Sequence, residues 1–367
     1  MKISILQQDL LPAVQTASRS VGVRSTLPVL DNILLETTPD NRLKIAATNL
    51  EIGVIRFLPV EIQESGQITV PAKTFLEIIS GLGSAQVELE ARDDILSITS
   101  GKFKATINGI SASEFPAIPL PEAEGVSFKK DILLSSSQIL FAAAVDEGRP
   151  VLTGILTHFS AQKLDFVATD GFRLAHRQIT IPDSTNDFKV LIPRRTYEEV
   201  LRVIAEQPAE EIQISTSANQ NQAVFTVGNT IVSSRLIEGQ FPTWEKIIPT
   251  QIVTRSLVDK DLFSKAVKLA SVFAKSEANI VIIKTSLNKL SLKSQAKELG
   301  SQENEIEGQV EGEEIEIAFN AKFLLDAISA SPSTQLMVEF SGPLSPTLIK
   351  PVGVEGLEYI VMPVRLS

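Results

Sequence analysis

One stretch of this chain is written three times. A strand leading into a helix reads VPAKTFLEIISGL from Val70, IPRRTYEEVLRVI from Ile192 and FNAKFLLDAISAS from Phe319, at spacings of 122 and then 127 residues. The apolar positions agree column by column: Phe75, Tyr197 and Leu324; Ile78, Val200 and Ala327; Ile79, Leu201 and Ile328. That is i, i+3, i+4 spacing, which gives each helix one apolar face. Neighbouring columns agree too, with Lys73, Arg195 and Lys322 in one and Glu77, Glu199 and Asp326 in another. A 367-residue chain with a repeat of this length is expected to fold as three related domains.

Other segments keep the same beat. PVLDNILLE from Pro28 returns as PVLTGILTH from Pro150 and, more loosely, as EANIVIIKT from Glu277. LKIAATN from Leu43 returns as LDFVATD from Leu164 and as LSLKSQA from Leu290. Ahead of each set a helix is expected, around Leu10–Leu11, Ile139–Leu140 and Leu262–Phe263. Each unit therefore reads as α+β, with two helices and antiparallel strands. The Pro-rich joints SEFPAIPLPEAEGV from Ser113 and QFPTWEKIIPT from Gln240 echo each other, placing domains at 1–122, 127–250 and 251–367.

Composition narrows the chemistry. With 43% apolar and 21% charged residues the chain can bury real cores, and with no cysteine it has neither disulfides nor thiolate chemistry. The N-terminus reads as a strand and a helix, and no apolar run is long enough to span a bilayer, so a soluble cytoplasmic protein is expected. A net charge of −10 argues at first against nucleic acid, but the placement of charge matters more than its sum.

No catalytic constellation stands out, and no metal or cofactor is implied. The two histidines, His158 and His176, have no metal-ligand spacing and read as structural. Thr169–Asp170–Gly171 reads as a turn rather than a placed acid, since glycine supplies positive φ and aspartate tolerates it. The acids from Glu303 to Glu316 lack calcium-loop order. An enzyme on a triplicated scaffold would need a partner for Asp170, which has no counterpart acid in the third repeat. A protein scaffold with no role on DNA would leave the repeated basic column unexplained. Arg195 and Arg202, seven apart, share a helical face, while Arg19, Arg24, Arg149, Lys268 and Lys275 accompany the first helices or their ends. Phe323 sits where the other repeats have Thr74 and Thr196, and either packs under a loop or lines a groove. The ending YIVMPVRL from Tyr359 reads as an edge strand because Pro363 cannot donate to a central ladder.

Taken together, the triplication, VPAKTFLEIISGL, ATDGFRLA, LIEGQFPTWEKIIP and the ending VMPVRL resemble the bacterial DNA polymerase III beta subunits, the sliding clamps, from Met1 to Leu366. The resemblance implies a DNA clamp fold and a non-catalytic head-to-tail homodimer, a closed ring around duplex DNA in the cytoplasm at the nucleoid. It implies DNA-facing Arg24, Lys73, Arg149, Arg195 and Arg202, and a dimer interface joining Ala105 and Ile107 to Val272 and Phe273 of the other copy. It further implies a pocket for short linear peptides of the replicative polymerase, the clamp loader, other polymerases and repair proteins. That pocket comprises Leu152, Thr169, Gly171, Phe172, Arg173, Leu174, Pro242, Lys246, Ile247, Asn320, Phe323, Leu344, Pro346, Ile360, Met362, Pro363, Val364 and Arg365. Phe172 stands where histidine is common in the family and Ala278 where a larger residue often borders the pocket, while Pro343 and Pro346 stiffen its rim.

Overall fold

The computed structural model describes residues 1–22, 27–121, 125–181, 188–217, 221–276 and 278–366. Arg24, Glu277 and the expected domain ends Glu122 and Ser367 lie outside the described residues. Among the described residues the helices are α1 (Gln7–Ser18), α2 (Ala72–Gly81), α3 (Lys130–Leu134), α4 (Arg194–Glu206), α5 (Lys260–Ala274) and α6 (Ala321–Ala330). None is long and apolar enough to cross a membrane. The chain divides into one unit of Met1–Lys130 with Glu198–Leu236 and a second of Asp131–Tyr197 with Ile237–Ser367, so the middle repeat contributes to both.

In the first unit the described strands form two antiparallel sheets. One runs in the order Glu61–Glu64, Lys2–Leu6, Gln86–Arg92, Ile95–Ser100 and Phe103–Asn108. The other runs Val126–Lys129, Glu211–Thr216, Gln222–Val227, Thr230–Arg235, Ile52–Pro59, Arg42–Thr48, Asn32–Thr37 and Gln67–Pro71. Its middle is a ladder between repeats, with Ile55 opposite Ile231 and Val54 opposite Val232. Strand Gln86–Arg92 turns Val87 and Leu89 inward and Gln86 and Glu88 outward, the period of two that a half-buried strand requires. Those inward residues join Leu10, Val14, Phe75 and Ile79 in one core, so the apolar columns of the sequence are the packed faces of α1 and α2.

The second unit holds one antiparallel sheet of the described strands. Its order is Phe188–Pro193, Gly154–Ser160, Lys163–Thr169, Arg173–Thr180, Leu357–Val361, Thr347–Pro351, Gln335–Phe340, Thr254–Asp259, Gly300–Gly312, Lys289–Ala296, Ile280–Ser286 and Glu316–Asn320. Here too a ladder crosses repeats, with Leu174 opposite Ile360 and His176 opposite Glu358. α5 is capped by Asp259, whose carboxylate accepts from the Leu262 amide at 2.9 Å, and α6 by Asn320, whose side-chain carbonyl accepts from the Lys322 amide at 2.9 Å.

Two expectations are corrected. The first helix of the middle repeat, expected at Ile139–Leu140, is replaced by short α3 and 3₁₀ turns at Ser135–Gln138 and Leu140–Ala142. The serine run explains this: the hydroxyls of Ser135 and Ser137 donate to the carbonyls of Ile132 and Leu134, competing with helical hydrogen bonds. The C-terminal strand is not an edge, because Leu357–Val361 is paired on both sides. It stops before Pro363, and Met362–Leu366 continues outside the ladder, as a missing amide hydrogen dictates.

Within the first unit an ionic network ties α1 to α4. Arg19 donates to Glu199 at 2.8 Å and to Glu206 at 2.8 Å, and Thr16 donates to Glu206 at 2.8 Å. Burial disfavours the charge on Arg19, yet its hydrogen bonds to the two glutamates outweigh that and hold its pKa above the ordinary value. Glu199 is buried and would be left without its closest cation by Arg19→Met. The expected cost is about 3 kcal/mol in urea unfolding, and Glu199→Gln in the same background should recover part of it.

Candidate functional site

The turn between Lys163–Thr169 and Arg173–Thr180 is built by its own side chains. The Asp170 carboxylate accepts from the amides of Phe172 at 2.9 Å and Arg173 at 3.0 Å, and Thr169 donates to the Arg173 carbonyl at 2.6 Å. Gly171 sits at φ +90°, a conformation that a side chain at Cβ would strain. Asp170 is therefore a turn builder, in line with the sequence reading.

Arg173 follows the turn and is buried. Its guanidinium donates to Asp170 at 3.0 Å, to the Phe141 carbonyl at 2.9 Å and to Asp326 of α6. It also lies over the rings of Phe323, 4.6 Å from the centroid, and Phe141, at 5.2 Å. Phe323 in turn stacks against Phe172 with centroids 6.2 Å apart. Phe323 is half-buried between Phe172 and Arg173. Phe172 remains 58% exposed, an aromatic face offered to solvent. The Phe172 carbonyl accepts from Met362 at 3.0 Å, and Val364 donates to Ala318 at 2.8 Å, so the chain end is laced to this corner.

A second cluster continues from Leu174. It packs with Ile360, Leu156, Val167, Leu348, Phe241 and Trp244, and Ile247 is partly buried against them. Leu152, Thr169 and Ile360 are buried, Asn320 is half-buried and spends its carbonyl capping α6, and Met362, Pro363, Val364 and Pro346 are half-buried. Gly171, Pro242, Lys246, Leu344 and Arg365 are exposed. All eighteen pocket residues expected from the sequence thus belong to the second unit, some as support and some as accessible surface.

The expected DNA-facing residues scatter more. Lys73 is exposed in the first turn of α2, and Arg195 and Arg202 are exposed on α4, where Arg202 lies 3.5 Å from Glu199. Arg149 is exposed as well, and its guanidinium donates to the Asp170 carbonyl at 2.8 Å, beside the 169–173 turn. At the expected interface, Val272 is 59% exposed on α5 and Phe273 is half-buried, whereas Ile107 is only 5% exposed and belongs to the first unit's core. Ala105, half-buried, and Phe103, exposed, share the strand face of Ile107.

Sequence reasoning missed Phe141 and Trp244 as parts of this region, along with the carboxylates Asp165 and Glu358 that flank His176. Asp326 was visible in the acid column without its partner. Glu199 of the same column also pairs with an arginine, Arg19.

Known proteins share this architecture. Family models described as the DNA polymerase III beta subunit match in three parts: the N-terminal domain at residues 1–119, the central domain at 128–243 and the C-terminal domain at 245–365. The chain is 33% identical to the beta sliding clamp of Synechocystis sp. and 30% identical to that of Bacillus subtilis, with each chain covered in full. The crystal structure of the Bacillus subtilis DNA polymerase sliding clamp superposes with a TM-score of 0.94 at 28% identity, again over all of both chains. The Thermotoga maritima DNA polymerase III beta subunit superposes at 0.92 and 28% identity, also over the full length of each.

Arg173→Lys keeps the charge but not the planar fork that serves Asp170, Asp326 and the Phe141 carbonyl together. Urea unfolding should show a loss of about 3 kcal/mol, with little added by Asp326→Asn in that background.

Proposed function

The chain belongs to the DNA polymerase III beta subunit family, and from that premise we propose that two copies join head to tail in a closed ring that slides on duplex DNA. It is a sliding clamp, a non-catalytic processivity factor. On this reading its domains span 1–122, 127–250 and 251–367.

The observation that carries the ring is a junction used twice. Ile52–Pro59 of the first repeat pairs with Thr230–Arg235 of the second, and Arg173–Thr180 of the second pairs with Leu357–Val361 of the third. The next strand of the first kind is Gly300–Gly312, which follows Lys289–Ala296 as Arg173–Thr180 follows Lys163–Thr169. Among the described strands its residues 300–307 pair only with Lys289–Ala296. The remaining strand of the second kind is Phe103–Asn108, which ends its sheet. Joining these two edges across copies makes the same junction a third time, and a heterologous contact of this kind closes when its rotations complete a turn. Exposed Lys102 and Lys104 at one edge would then meet the acidic edge of Glu303, Glu305 and Glu307, of which Glu303 and Glu305 are already paired with Lys293 and Lys289, and the opposite signs would steer association. Ala105 and Phe103 would meet Val272 and Phe273, with Ile107 supporting from the core.

Lys73, Arg195 and Arg202, with Arg24, are proposed to face DNA. Attraction to phosphates is blind to sequence, which suits sliding. Arg149, exposed beside the 169–173 turn it contacts, is proposed to join these basic residues. The groove itself would run from exposed Phe172 and half-buried Phe323 and Met362 towards Ile247 and Leu344, taking short linear peptides of polymerases, the clamp loader and repair proteins.

Loading onto nicked circular duplex DNA with a clamp loader, followed by cutting the circle, tests the ring. Protein should stay on the circle through gel filtration and leave after linearisation; equal retention on both forms would refute encirclement. In the groove, Phe323→Ala with Met362→Ala should weaken a polymerase-tail peptide by at least about tenfold in calorimetry, with the dimer unchanged on sedimentation.

A further inference from the structure

In the second unit the imidazole of His176 is held between two acids and an indole. Nε2 lies 2.8 Å from an oxygen of Asp165 on Lys163–Thr169, and Nδ1 lies 2.9 Å from an oxygen of Glu358 on Leu357–Val361. The ring packs against Trp244 with centroids 4.3 Å apart and planes at 47°. A neutral imidazole has one N–H and one lone pair, so it can donate to one of these carboxylates and must turn a lone pair to the other. Only the imidazolium satisfies both. As a cation it also gains from the indole face, which a neutral ring does not.

Trp244 opens the short turn Trp244–Ile247 and packs in the cluster with Leu174 and Ile360. The same turn carries Lys246 and Ile247, and Pro242 lies two residues ahead of it. We propose that His176 is a positioning residue for the peptide groove: as an imidazolium it ties three neighbouring strands together and seats Trp244, which sets the rim segment from Pro242 to Ile247. The proposal rests on the groove reading given above, and His176 itself touches no peptide.

The surrounding charges fit this role. Asp165 and Glu358 are the ionisable groups in contact with the ring, Gln178 donates to Asp165 at 2.9 Å, and His158 acts on Asp165 from Gly154–Ser160. Glu245 and Lys246 on the Trp244 turn are exposed. Burial opposes charge on His176, but the hydrogen bonds to Asp165 and Glu358 outweigh it and raise its pKa. Burial likewise opposes charge on Asp165, and the hydrogen bonds from His176 and Gln178 outweigh it and lower its pKa. The sign follows from the histidine: its contribution is complete below the unfolded value of about 6.5 and is lost as pH rises through the elevated folded value.

Trp244 is the chain's single tryptophan, so its emission reports the surroundings of this one ring. Emission of the full-length protein should change across a single titration above about pH 6.5, because an imidazolium quenches an adjacent indole. Anisotropy of a tetramethylrhodamine-labelled polymerase-tail peptide should show affinity falling by about threefold to tenfold over the same titration. In His176→Gln both dependences should disappear. In Glu358→Gln, which keeps the imidazole and removes one acid, both midpoints should move to lower pH together. Emission that does not titrate, or titrates unchanged in Glu358→Gln, would overturn the proposal. So would peptide affinity that stays flat while emission titrates. A wild-type protein that binds no peptide at any pH overturns the groove reading as well, and is told apart by an emission titration that persists.

Discussion

Backbone ladders that cross the repeat boundaries are the constraint on which this structure depends. A strand pair such as Val54 with Val232, or Leu174 with Ile360, satisfies amide and carbonyl groups that neither repeat could satisfy alone. The cores then form around these joints: the cluster of Leu174, Ile360 and Trp244 draws on the second and third repeats together. The middle repeat contributes to both units, its residues Glu198–Leu236 to one and Asp131–Tyr197 to the other.

The most local features were the most legible. The columns containing Phe75, Tyr197 and Leu324 announced α2, α4 and α6, because a helix's period is written in neighbouring residues. The Asp170–Gly171 turn was legible for the same reason. The broken helix before Ile139 was not: the apolar pair there kept the repeat's pattern while Ser135 and Ser137 redirected the hydrogen bonds. Pro363 suggested an edge, yet it marks only where the strand stops, and its neighbours up to Val361 are central. Which strands meet across repeats is a non-local matter that no window of sequence contains.

The site shows the same division. Its residue types came from resemblance to a family, whereas the support beneath them came from the fold. Arg173 joins the turn, the Phe141 carbonyl, α6 and two rings through one planar group. Arg149 belonged to a basic set in the sequence and to a turn in space.

The recurring junction has a consequence for how many repeats a chain must carry. Both boundaries within the chain are made from the same two kinds of strand, so the ladder is indifferent to whether the peptide bond continues across it. A gene holding two such repeats would end in the same pair of free edges as this one with three. The six segments of the proposed ring could then come from three shorter chains as well as from two longer ones, with no new kind of contact. Repeat number per chain is in this sense a matter of gene structure, free to drift so long as the two edges are kept.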